Sequence, residues 1–99
     1  EKVDPRVFVI VHLYETSIPS SVRMNRFLEE IARDKPNFKF LRMNASSSGI
    51  EIDRVTLPIL NIYKNGESVD VIAGIAVEYG EFFTKEEIEW LLETHISNL

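Results

Sequence analysis

The residues able to do chemistry are few: two histidines, His12 and His95, and a serine pair, Ser20-Ser21, at the start of an amphipathic stretch. A histidine titrates near neutral pH and suits general acid–base work. His12, however, sits alone in an apolar run, Val7 to Tyr14, with no Ser, Cys or carboxylate spaced to complete a catalytic constellation. It reads as a neutral core histidine with hydrogen-bonded ring nitrogens. His95 falls on the apolar face of the last helical stretch, near a carboxy terminus that favours a cation. Two isolated histidines without ligand spacing do not make a metal site. Ser20 and Ser21 could act as nucleophile or phosphoacceptor, but a helix start at Ile18-Pro19 makes capping their expected role. Cysteine is absent altogether, which removes disulfides, thiolate metal sites and dithiol redox chemistry. No metal and no cofactor are expected.

Eleven Lys and Arg against 16 Asp and Glu leave a net charge of −5, which argues against nucleic acid or an anionic membrane surface as a partner. The most apolar run, Val7 to Tyr14, falls far short of the roughly 20 residues a membrane span needs. Glu1-Lys2-Val3-Asp4 carries no signal-peptide pattern, and a start on Glu rather than Met points to a piece of a longer protein. A chain of this size buries about 65% of its extended surface on folding, enough for one core and one domain.

These residues have to be positioned by elements that the hydropathy pattern marks. Val7-Phe8-Val9-Ile10-Val11 has no polar alternation and reads as a central strand covered on both faces. From Ile18-Pro19-Ser20-Ser21 onward, Met24, Phe27, Leu28, Ile31 and Lys35 recur at helical spacing, with Arg23, Arg26, Glu29, Glu30 and Arg33 opposite; Pro36 ends that helix. Phe38 to Met43 alternates as a second, half-buried strand. Ser46-Ser47-Ser48-Gly49 predicts a brief helix ending near Val55. Ile59 to Tyr63 and Ser68 to Ile72, joined through Lys64-Asn65-Gly66-Glu67, form a hairpin signal. Thr84 caps a last helix with Glu86 and Glu87 in its first turn and Ile88, Leu91, Leu92, His95 and Leu99 on one face. The order strand, helix, strand, short helix, hairpin, helix implies an α/β domain: a mixed central sheet with helices on both faces.

That order resembles the thioredoxin fold at residue level. Val11-His12-Leu13-Tyr14 through Glu29-Glu30-Ile31-Ala32 aligns without a gap to the thioredoxin strand and active-site helix, Leu57-Pro58 to its cis-proline, and Tyr63-Lys64-Asn65-Gly66-Glu67 to its hairpin. The resemblance implies a cis peptide at Pro58. It also places Ile18-Pro19-Ser20-Ser21 where the redox Cys-x-x-Cys would stand, and His12 where that family has a buried acid. Thiol–disulfide exchange proceeds by thiolate attack, which a serine hydroxyl cannot replace, so the fold is expected to be redox-inactive. A narrower resemblance, carried by Val11-His12-Leu13-Tyr14, Leu57-Pro58, Ile62 to Glu67 and Tyr79-Gly80-Glu81-Phe82-Phe83, is to the carboxy-terminal domain of phosducin-like proteins. It implies a non-enzymatic, cytoplasmic regulator that acts with the chaperonin CCT or binds G-protein βγ subunits, here as a single thioredoxin-like domain over residues 1–99 without its amino-terminal helical region. Met43-Asn44-Ala45-Ser46-Ser47-Ser48-Gly49 resembles the phosducin-proper side and Glu87-Ile88-Glu89-Trp90 the chaperonin-directed branches. Other readings are a redox-dead substrate-binding module of the disulfide-isomerase type, and an oxidoreductase or transferase.

For a binding module the expected contacts are aromatic and acidic. At about 100° per residue, Trp90 falls opposite the apolar face of the last helix, among Glu86, Glu89 and Glu93. Phe82 and Phe83 are either outward contacts or a staple that folds back on the helix start. Together with Tyr79, Glu86 and Glu89 they form the candidate partner-binding set of a monomeric domain with protein partners.

Overall fold

In the computed structural model, which describes residues 7–49 and 51–97, the apolar run becomes β1 (Phe8–Tyr14). It is followed by α1 (Pro19–Asp34), β2 (Phe38–Asn44), a 3-10 turn (Arg54–Thr56), β3 (Ile59–Lys64), β4 (Glu67–Ile72), α2 (Ile75–Tyr79) and α3 (Lys85–Ser97). The strands order β2-β1-β3-β4. β1 runs parallel to β2, with Phe8 beside Phe38 and Tyr14 beside Asn44, and antiparallel to β3, with Ile10 beside Ile62. The β3–β4 hairpin turns at Asn65 and Gly66, whose φ values of 54° and 80° are those a primed two-residue turn requires. The Leu57–Pro58 peptide is cis, as the resemblance implied. Thr84 caps α3 in a reciprocal box: its Oγ1 accepts from the Glu87 N–H at 3.1 Å, and Glu87 Oε1 accepts from the Thr84 N–H at 2.8 Å.

Two segments depart from the sequence reading. The brief helix expected from Ser46 to Val55 is a turn over residues 45–49 followed by the 3-10 turn. Polar side chains compete there for backbone groups: Glu15 accepts from the Ser46 N–H and hydroxyl, and Asn44 Oδ1 accepts from the Ser47 N–H. Conversely, α2 forms over five residues with no sequence signal of its own. It starts from Gly74 in the left-handed region (φ 66°) and is pinned by the fully buried Ile75.

Alternation places Ile10, His12, Leu60, Ile62 and Ile72 on one face of the sheet. There they meet Met24, Leu28 and Ile31 of α1 and Ile88, Leu91 and Leu92 of α3, with Ile75 and Phe83 completing the core. Helices were expected on both faces; among the described residues both long helices lie on this one. On the other face Val9, Val11 and Leu13 are half-buried and Leu41, Met43 and Val71 exposed, and among the described residues no long helix covers them. Among the described residues, the connection between β2 and β3 holds turns and the short 3-10 turn but no long helix for that layer. Leu99, assigned above to the apolar face of α3, lies outside the described residues.

Candidate docking surface

α1 begins at Ile18-Pro19-Ser20-Ser21, the positions that the resemblance aligns with a redox motif. Ile18 is the N-cap with extended backbone (φ −110°, ψ 109°), and Pro19 opens the first turn, where a missing N–H costs nothing. Neither serine caps the helix, contrary to expectation: Ser20 and Ser21 turn inward, are buried, and their hydroxyls have no hydrogen-bond partner among the described residues. The helix starts without a side-chain cap, because the apolar packing of α1 fixes its rotation and turns both serines inward.

His12 is fully buried, and its Nδ1 lies 2.6 Å from Asn25 Oδ1 on α1. An amide oxygen only accepts, so Nδ1 carries the proton and donates. Burial lowers the His12 pKa to about 4, with the Asn25 bond opposing the shift and the Arg42 charge adding to it, so the ring is neutral at pH 7. Nε2 has no partner among the described residues. The ring therefore gains one of the two hydrogen bonds expected for it, and it is paired with neither serine. His95 sits half-buried on α3 with its Nδ1 2.6 Å from Asp70 Oδ2, tying α3 to β4. Among the described residues no three His, Cys, Asp or Glu side chains are grouped to hold a metal, and no helix is long and apolar enough to cross a membrane.

Around the start of α1 the surface is apolar. Pro19, Val22, Val55, Val77 and Phe82 are all exposed, Val77 at 74% and Phe82 at 88%. Between them lies a shallow hollow of about 280 Å³ lined by Ile18, Val55, Leu57 and Val77, with Arg54 and Glu81 contributing charge. Three segments distant in sequence meet here, and polar bonds lock them. The Arg54 guanidinium donates to Ser17 Oγ at 3.0 Å, and the Gly74 N–H donates to the Thr56 carbonyl at 2.9 Å.

Arg23, which sequence reasoning assigned merely to the polar side of α1, is the main clamp. Its guanidinium donates to the carbonyls of Glu81 and Phe83, the latter at 2.9 Å, and lies over the rings of Phe83 (4.9 Å) and Phe82 (5.5 Å). A lone Arg on a helix carries no sequence signal for such a role, since its partners lie 58 and 60 residues away.

The expected contact residues separate accordingly. Phe82 is displayed on the surface, but Phe83 is 1% exposed and belongs to the core, a correction to its place among the contacts. At the residue before the Thr84 cap it occupies the staple position, with Ile88 one turn on in the same core cluster. Phe27 meets it edge-on at 6.1 Å. Tyr79 is half-buried against the core. On α3, Trp90 is exposed at 58% and Glu86 is exposed, while Glu89 is half-buried and 3.8 Å from Lys85.

Comparison with known proteins places this arrangement. A family profile described as Phosducin matches residues 1–96. Phosducin-like protein 3 of Danio rerio is 33% identical over 91 residues, covering 92% of this chain and 38% of that protein. Phosducin of Homo sapiens is 32% identical over 90 residues, covering 88% of this chain and 36% of that one. The chain thus spans about a third of the length of the curated relatives it matches. Among solved structures, the oxidised thioredoxin of Plasmodium falciparum superposes with a TM-score of 0.65 at 21% identity, over 89% of this chain and 80% of that one. The germline-specific thioredoxin Deadhead of Drosophila melanogaster gives a TM-score of 0.65 at 9% identity, over 90% and 81%. The fold is thioredoxin-like, cysteine is missing from it, and the chain belongs to the phosducin family.

Proposed function

We propose that this domain is a non-catalytic docking module of a phosducin-like regulator that acts with the cytosolic chaperonin CCT in protein folding, working as a monomer. The observation that carries the reading is the end of the molecule at Ile18–Ser21. Where a thioredoxin would hold its thiols, this chain has an aliphatic side chain, a proline and two inward-turned, unactivated hydroxyls, while the surrounding surface stays apolar and exposed. Such a surface binds rather than reacts. Phe82, with Tyr79 near it in sequence, supplies aromatic contact at this end, and Trp90, Glu86 and Glu89 supply a second set on α3.

The test is capture of purified chaperonin by the full-length protein carrying this domain. Val77→Asp with Phe82→Ala is expected to reduce capture while leaving the circular dichroism spectrum unchanged; unchanged capture by a folded variant removes this end from the interface. A second reading, binding of G-protein βγ subunits, is favoured by the Met43–Gly49 segment, whose turn is held by the Glu15–Ser46 bonds. It predicts βγ binding that a Gα subunit displaces. Catalysed reduction of insulin by dithiothreitol above background would overturn both.

A further inference from the structure

α3 gives solvent a single stripe, Glu86, Trp90, Glu93 and Ser97, spaced i, i+4, i+7 and i+11. Its centre is the sole tryptophan of the chain, exposed at 58%, although the rest of the helix had three core positions in which an indole could have been buried. The field around it is predominantly negative: between Glu81 and Ser97 there are five Glu and a single Lys, with Lys35 of α1 set against Glu93. The acids differ in how far they are engaged. Glu87 is committed to the Thr84 cap, Glu89 faces Lys85, and Glu93 pairs with Lys35 of the α1 carboxy terminus. Glu86, one turn before Trp90, has no partner among the described residues.

We propose that this stripe docks an arginine-bearing segment of a protein partner, with a guanidinium laid over the Trp90 indole and bonded to Glu86. Indole is the best aromatic acceptor of a cation, and a guanidinium, planar and weakly hydrated, can stack on a ring and donate to a carboxylate at once. An ammonium, compact and strongly hydrated, does this less well. A second copy of the chain would bring acid against acid, and a nucleic acid or acidic peptide would be repelled, so charge selects the basic partner. This inference rests on the reading of the domain as a protein-docking module, but it concerns a face separate from the apolar end.

Trp90 provides its own readout, because no other indole contributes to the emission. The experiment titrates the domain with a fluorescein-labelled helical peptide carrying Arg at i and i+4, with Lys and Glu versions of the same peptide, reading Trp90 emission and peptide anisotropy. A saturable change with the Arg peptide is expected, weaker with Lys and absent with Glu. Trp90→Leu and Glu86→Gln are each expected to weaken Arg-peptide binding roughly fivefold by anisotropy, with Trp90→Phe recovering part of the loss. Glu67→Gln, at the distant hairpin, should leave it unchanged. An equal loss from Glu67→Gln reveals diffuse charge attraction and overturns the proposal, as does an unsaturable response or one independent of Trp90. A concentration-dependent emission shift without peptide assigns the face to self-association instead. No binding of the Arg peptide by the unsubstituted domain, together with intact chaperonin capture, would remove this face alone and leave the apolar end as the docking site.

Discussion

The end of the molecule at Ile18–Ser21 and the outer face of α3 are both exposed and both carry aromatic groups, yet they are built in opposite ways. The first is assembled from three sequence-distant segments. Its displayed residues rest on a buried layer: Phe83 in the core, Arg23 bonded to the carbonyls of Glu81 and Phe83, and on the inner face of α1 the groups Ser20, Ser21 and Asn25, the last bonded to His12. The second is a helix surface whose geometry is set by local spacing and whose ion pairs, Lys35 with Glu93 and Lys85 with Glu89, reach solvent. A surface of the first kind cannot be altered from below without losing the fold. One of the second kind can be rewritten almost freely, so binding defects there report contact alone.

Substitutions can break this contrast in graded steps. Phe83→Ala is expected to cost about 3–5 kcal/mol, because it opens a cavity under the Arg23 clamp; urea unfolding measures it, and a cost below about 1 kcal/mol would show that the loop before α3 is not anchored there. Acid should act on the buried layer next. His12 is held at about 4 against an ordinary 6.5, so the folded state binds fewer protons than the unfolded one. Stability is therefore level above about pH 7 and falls as pH drops through 6.5 to about 4, by about 3 kcal/mol in all. Unfolding free energies of His12→Gln should lose that part of the slope, and an identical pH profile in the variant would assign the acid response to carboxylates.

Arg23→Met keeps the aliphatic stem but removes both carbonyl bonds and the stacked cation, for an expected loss of about 1–3 kcal/mol and faster amide exchange from Glu81 to Thr84. Phe82→Ala and Trp90→Ala, in contrast, should each change stability by no more than about 0.5 kcal/mol. A larger loss in Trp90→Ala would mean that the indole packs on its own helix and would weaken the distinction between the two surfaces.

Periodicity was a good guide wherever a segment's neighbours lie within a turn or a strand of it. The stripe of Met24, Leu28 and Ile31, the Asn65-Gly66 hairpin, the Thr84 cap and the outward position of Trp90 are all local in origin, and the structure contains each of them. The absence of cysteine at Ile18 and Ser21 is likewise a matter of sequence alone, and it already separates this chain from a thiol catalyst. What periodicity could not supply was any distinction between Phe82 and Phe83, adjacent aromatics of which one is displayed and the other buried. That choice follows from where α1 and α3 meet. The same holds for the serines, expected as caps and found buried, and for the second sheet face, over which the described residues place no long helix. Hydrophobic spacing determines which residues can be buried together, but the partner of each, and which side of a helix meets which side of a sheet, is settled by long-range packing. Arg23 shows this most plainly: its two carbonyl partners stand close to it only because β3, β4 and α2 carry the chain back to the start of α1.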